Sequence, residues 1–198
     1  MLMPLPGTGE APMRTGRQKH RFATHTATSS IFWGGLLCGV FDIAYALALY
    51  GALGVRPVRL LQGIASGLLG RAAFAPGLKT AALGLFLHFF ISFSAATVYY
   101  LASRKLTFMI QRAVPGALYG VAVYLFMSFV VLPLSAVRRQ PFELGIFLLN
   151  MVEHMLLVGL PIALAIRKFG GEWNENQSKE RVATADAPEQ VQSVRTVP

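Results

Sequence analysis

The chain has 198 residues, 54% of them hydrophobic and only 14% charged, with a mean hydropathy of +0.52. That balance excludes an ordinary soluble domain and points to a multi-span membrane protein built as one domain. The formal net charge of +9 resides in tails and connections; no basic face with interleaved aromatics recurs, so no nucleic-acid partner is expected, and a lone cysteine, Cys38, excludes an intrachain disulfide and any CxxC metal motif.

Residues 1–30 are polar and basic, with Arg14, Arg17, Lys19 and Arg21 against the single acid Glu10, and are expected to be a disordered tail. A first span is expected from about Ile31 to Leu53, long enough at about 1.5 Å per residue to cross a hydrocarbon layer of roughly 30 Å. Its one acid is Asp42, which shares a helix side with Gly35, Gly39 and Ala46. A carboxyl on a stripe of small residues is expected to face other helices and not lipid. The next stretch, VRLLQGIASGLLG, is too short to span and too apolar for a loop. Arg59, Gln62, Gly63, Ser66 and Gly70 oppose Leu61, Ile64, Leu68 and Leu69, which predicts a short amphipathic helix over 57–70, interfacial or re-entrant.

A second span is expected at about Ala81 to Ala102, where Gly84, His88, Ser92 and Tyr99 form another small and polar stripe. A third, about Ala113 to Leu134, opens with Pro115 in its first turn and carries Gly116-x-x-x-Gly120, a packing signal, with Tyr124 continuing that face to the midplane. The fourth runs from Glu143 to Ile166 with a kink-prone Pro161, and holds Asn150, Glu153 and His154 near its centre. The tail from Gly170 on is charged and amide-rich and is expected to be disordered, leaving 31–169 as an all-α transmembrane domain of four helices plus the short one. The tails and the second connection hold 12 of the 18 basic residues, so both termini are expected to be cytoplasmic.

Asp42, His88, Tyr124, Asn150, Glu153 and His154 thus fall close to one depth, where an ionisable side chain costs on the order of 2.5 to 3.5 kcal/mol. An inward polar cluster that holds the bundle together is the leading expectation; Gly35, Gly39, Gly84, Gly116 and Gly120 are the matching packing positions. A proton- or ion-linked transporter or channel component using the same residues is the alternative, with homo-oligomers expected because four short helices enclose little volume. Haem or metal binding comes third: His88, His154 and Asp42 or Glu153 offer nitrogen and oxygen ligands, yet no single helix carries HxxxH or ExxH, so no cofactor is assigned. No GxSxG, HExxH or P-loop is present, and the reading leans away from an enzyme.

From about Gly34 to Phe169, the pieces Ala65-Ser66-Gly67-Leu68-Leu69-Gly70, Leu87-His88-Phe89-Phe90-Ile91-Ser92, Leu132-Pro133-Leu134-Ser135 and Glu153-His154 resemble small, largely uncharacterised inner-membrane proteins of Gram-negative bacteria, the YagU-like group. The resemblance implies a bacterial inner membrane, a compact helical fold and recurring histidines matching His88 and His154. It implies no catalytic residues.

Overall fold

The computed structural model describes residues 16–75, 77–106, 113–137 and 142–169, with side chains from residue 27 onward. The first fifteen residues, the basic turn at Arg138 and Arg139 and the tail from Gly170 lie outside the described residues. Four helices are long and apolar enough to cross a membrane, and no strand occurs among the described residues. They are α1 (Gly16–Ala52), α3 (Lys79–Lys105), α4 (Val114–Leu134) and α5 (Leu144–Phe169), with the short α2 (Pro57–Leu69) between the first two. α1 corrects the expected boundary: residues 16–30 were assigned to a disordered tail, but the helix already starts at Gly16. No proline lies between Pro12 and Pro57 to stop it.

Small residues set how closely the helices meet. α1 and α3 cross where a Cβ on Gly35 would collide with the Phe93 ring and one on Gly39 would come within 2.8 Å of Phe89. α4 and α5 approach backbone to backbone: a Cβ on Gly116 would strike Ala163, one on Gly120 the carbonyl of His154, and one on Gly159 the carbonyl of Gly116. The GxxxG of α4 therefore meets a third glycine, Gly159, on its partner, a close approach of the kind that replaces hydrophobic driving force between helices in lipid. The interior is densest toward the termini side, where Cys38, Ala96, Tyr99, Val158, Ile162, Ala163 and Ile166 form the core. Outward residues such as Phe32, Phe86, Leu118 and Leu164 are exposed, as expected of side chains that meet lipid.

α2 turns its faces the opposite way from a helix lying on a membrane surface. Its small and polar side, Gln62, Ala65 and Ser66, is buried, while Leu68 and Leu69 are exposed. The Leu61 carbonyl packs against Gly84 of α3 so tightly that a Cβ there would overlap it. The Gln62 amide donates to the carbonyls of Ala75 (3.1 Å) and Gly77 (3.3 Å) and to Thr80 Oγ1 (3.2 Å), so one buried side chain satisfies the loop that leads into α3. At the far end, the Ala136 N–H donates to the Gly67 carbonyl at 2.9 Å, tying α2 to the end of α4.

Two of the spans are not regular α-helices. α4 changes to π-helical pairing over Met127–Val131 and α5 over His154–Gly159. Each wide turn lies just ahead of a proline. Pro133 cannot donate to the Phe129 carbonyl, nor Pro161 to that of Leu157, and each ring crowds that carbonyl. Freed of one rung, the ladder is loosened at that level.

Candidate functional site

Both π-helical turns face the same space. A cavity of about 320 Å³ lies among α1, α2, α3, α4 and α5, reaching from Cys38 and Val158 at the core to Tyr50, Leu60 and Leu132 near the helix ends on the connection side. All six residues singled out from the sequence line it: Asp42, His88, Tyr124, Asn150, Glu153 and His154. The sequence argument placed them at one depth; the packing of α1 on α3 and of α4 on α5 brings them around one volume.

His88 of α3 is buried, and its Nε2 lies 2.8 Å from the Gly39 carbonyl of α1. A carbonyl only accepts, so Nε2 carries a hydrogen, and in the neutral ring the lone pair is on Nδ1. That Nδ1 is 3.9 Å from Asp42 Oδ2, close enough for attraction to a protonated ring and too far for a hydrogen bond. This bond requires Gly39 to be small, since a side chain there would collide with Phe89 and Ser92. Across the cavity, the Tyr45 hydroxyl reaches Asn150 Oδ1 at 3.5 Å and the Tyr124 ring packs on His154 with centroids 4.9 Å apart.

Glu153 and His154 would point about 100° apart on a regular helix, which made the pair a weak signal in the sequence. The change of pairing falls between them: Glu153 ends the α-helical part of α5 and His154 opens the π-helical part, and both line the cavity. Glu153 Oε2 lies against His154 Nδ1. That nitrogen also lies 3.0 Å from the Asn150 carbonyl, so the carboxyl and the carbonyl meet the same side of the ring. Glu153 is 5% exposed, and apart from the His154 ring neither carboxyl oxygen has a hydrogen-bond partner among the described residues. Buried polar atoms in native proteins are nearly always paired, and this carboxyl lines the cavity with a single imidazole against it.

The sequence argument missed Ser128 and left Cys38 and Ser92 out of the cluster, though all three line the cavity. Ser128 sits in the π-helical turn of α4, where α-helical spacing misplaces the side chain. Prolines inside two apolar spans, each a turn or two beyond a polar residue, were the available signal. Asp42, Glu153 and His154 can each offer one atom to a common point, the three lying within 4.8 Å of one another. No family model, curated protein or solved structure matches the chain.

Proposed function

We propose that this integral membrane protein is an ion-linked transporter or channel component, with the cavity among its spans as the site where a cation is held. The observation that carries the reading is Glu153: a buried carboxyl on the cavity wall whose one ion-pair partner is the neighbouring His154 of its own helix. A group retained only to hold helices together would reach a partner on another helix, whereas Glu153 pairs within its own. Intramembrane acids that face a cavity mark ion and proton paths in membrane proteins. The clamp reading keeps a narrower place, supported by interhelical bonds from His88 to the Gly39 carbonyl and from the Tyr119 hydroxyl to the Ala95 carbonyl at 2.7 Å. Those bonds fix the helices that carry the site; Glu153 makes none. One copy supplies all the residues that line the cavity, so cation binding does not depend on the homo-oligomer expected from the sequence.

The setting belongs to the same proposal: a bacterial inner membrane, on the YagU-like resemblance, with both termini cytoplasmic and α2 re-entrant from the opposite face. A reporter active only in the cytoplasm should give signal when fused after Phe169 and none when inserted near Arg138. Signal only at the second position would reverse the orientation.

The site itself can be probed with dicyclohexylcarbodiimide, which adds to carboxylic acids shielded from water. Intact membranes should yield an adduct at Glu153 or Asp42, read by peptide mass, whose formation is slowed by at least one of Na⁺, K⁺, Mg²⁺, Mn²⁺ or Zn²⁺ tested singly. An adduct formed at the same rate with every cation, or none at either residue, would remove the support for a cation site.

A further inference from the structure

The geometry points to a divalent first-row transition-metal ion, of the Mn²⁺ or Zn²⁺ type, as the occupant of this cavity, held by Asp42, Glu153 and His154 with His88 completing or supporting the set. The inference rests on reading the cavity as a cation site and names the ion.

Three independent features of the site select that class. The first is reach: one atom each from Asp42, Glu153 and His154 lies within 4.8 Å of the others. That is the spread of donors around a shared ion at metal–ligand distances of about 2.0 to 2.2 Å, allowing a small side-chain adjustment. Asp42 comes from α1 and the other two from α5, so an ion here would join the two halves of the bundle.

The second is charge. Asp42 and Glu153 bring two carboxylates to one cavity between the helices, Glu153 with only the His154 ring against it. A monovalent ion would leave a net negative site in low dielectric, and a divalent one brings the two carboxylates to neutrality.

The third is donor type. Magnesium and calcium favour oxygen-only shells, calcium with six to eight of them, whereas an imidazole in the set suits zinc, iron or nickel and the carboxylates suit manganese as well. Each imidazole here also has the second contact that orients metal-ligating histidines. His88 gives its Nε2 hydrogen to the Gly39 carbonyl, and His154 Nδ1 lies 3.0 Å from that of Asn150. In neutral His88 the remaining lone pair, on Nδ1, then confronts Asp42 Oδ2 across 3.9 Å, two acceptors with no donor between them, which a shared cation reconciles. The thiol of Cys38 stands apart, its Sγ directed to the carbonyls of Gly35 at 3.4 Å and Ser92 at 3.9 Å, so a soft, sulfur-bound ion such as Cu⁺ is not the match. Three or four protein ligands leave room for water, as befits an ion that must leave as well as enter.

The test uses the full chain, purified in mild detergent without a polyhistidine tag. Mn²⁺ is titrated and followed by loss of the free-ion electron paramagnetic resonance signal, with Zn²⁺ and Mg²⁺ as competitors. One saturable site per chain is expected, displaced by Zn²⁺ and not by a hundredfold excess of Mg²⁺. Glu153→Gln and Asp42→Asn should each weaken it at least tenfold, while lipid-facing Leu125→Ile leaves it unchanged. Undiminished binding in the folded double variant would place the ion elsewhere and overturn the assignment, as would absence of a saturable site. X-ray absorption of the Zn²⁺-loaded wild type needs no variant: a nitrogen and oxygen shell with one or two imidazoles is expected, and a sulfur ligand would contradict the assignment. Protection of the carboxyls by Na⁺ or K⁺ alone, with no Mn²⁺ site, would overturn this inference while leaving the cation-site reading intact. A Mn²⁺ site in a protein that moves no ion would do the reverse, keeping the metal and removing transport.

Discussion

Gly120→Leu is expected to abolish assembly of the bundle. A single Cβ at this position already overlaps the His154 carbonyl and comes within 2.9 Å of the Met155 Cα, and these are backbone atoms that no rotamer change can move aside. Overpacking in a close-packed interior costs typically 1 to 3 kcal/mol. The cost here should exceed that range, because α4 must separate from α5 along the whole line of Gly116, Gly120 and Gly159. The separation would also displace His154, whose carbonyl is the obstacle and whose ring lines the cavity. Leu125→Ile on the lipid side of the same helix, at 37% exposure, should leave assembly unchanged. Size-exclusion chromatography and heating in detergent read both variants: loss of the monodisperse peak for Gly120→Leu alone is expected, and equal behaviour of the two would show that the contact face is not the one described.

Glu153→Gln is expected to fold, and to be at least as stable as wild type. An ordinary buried carboxylate gives up hydrogen bonds when it becomes an amide, and the protein weakens by about 1 to 3 kcal/mol. Glu153 has only its contact with the His154 ring to give up. What the amide removes is a potential charge at mid-membrane, where insertion scales assign an ionisable residue on the order of 2.5 to 3.5 kcal/mol. The electrostatic contact with His154 opposes this, so the expected range runs from no change to a gain of a few kcal/mol. His88→Leu should differ in sign, because it strips the interhelical bond to the Gly39 carbonyl and removes the nearer attraction to Asp42. A drop in thermal stability for Glu153→Gln equal to that of His88→Leu would make the carboxyl a structural clamp.

The spans were legible because their signal is crude and strong: runs of apolar residues of bilayer length, closed by Arg104 and Lys105 or by Arg167 and Lys168. The small-residue stripes were equally readable, and Gly35, Gly39, Gly84, Gly116 and Gly120 all sit where another helix leaves no room for a side chain. Asp42 and His88 could be matched in depth because α1 and α3 are regular helices between known ends. The relation of Glu153 to His154 could not be read, since it depends on a change from α- to π-helical pairing at the boundary between them, and α-helical spacing assumes that no such change occurs. The orientation of α2 was hidden for a related reason. An amphipathic pattern gives two faces without saying which is inside, and it took the contact of Leu61 with Gly84 and the bonds of Gln62 to turn the polar face inward. The start of α1 at Gly16 was missed because polar, basic composition was read as disorder, although nothing in that run prevents a helix.

The central claim is that the cavity carries an ion across the membrane, and flux in reconstituted vesicles addresses it most directly. Wild type and Glu153→Gln, matched for folding by size-exclusion chromatography, are placed in liposomes loaded with indicators for H⁺ and for divalent cations, and a gradient of H⁺, Mn²⁺ or Zn²⁺ is imposed. The account predicts flux of at least one of these ions in wild type above protein-free vesicles, and its reduction at least tenfold in the intact Glu153→Gln protein. Equal flux in the two proteins, or none in wild type under any of the gradients, would contradict it.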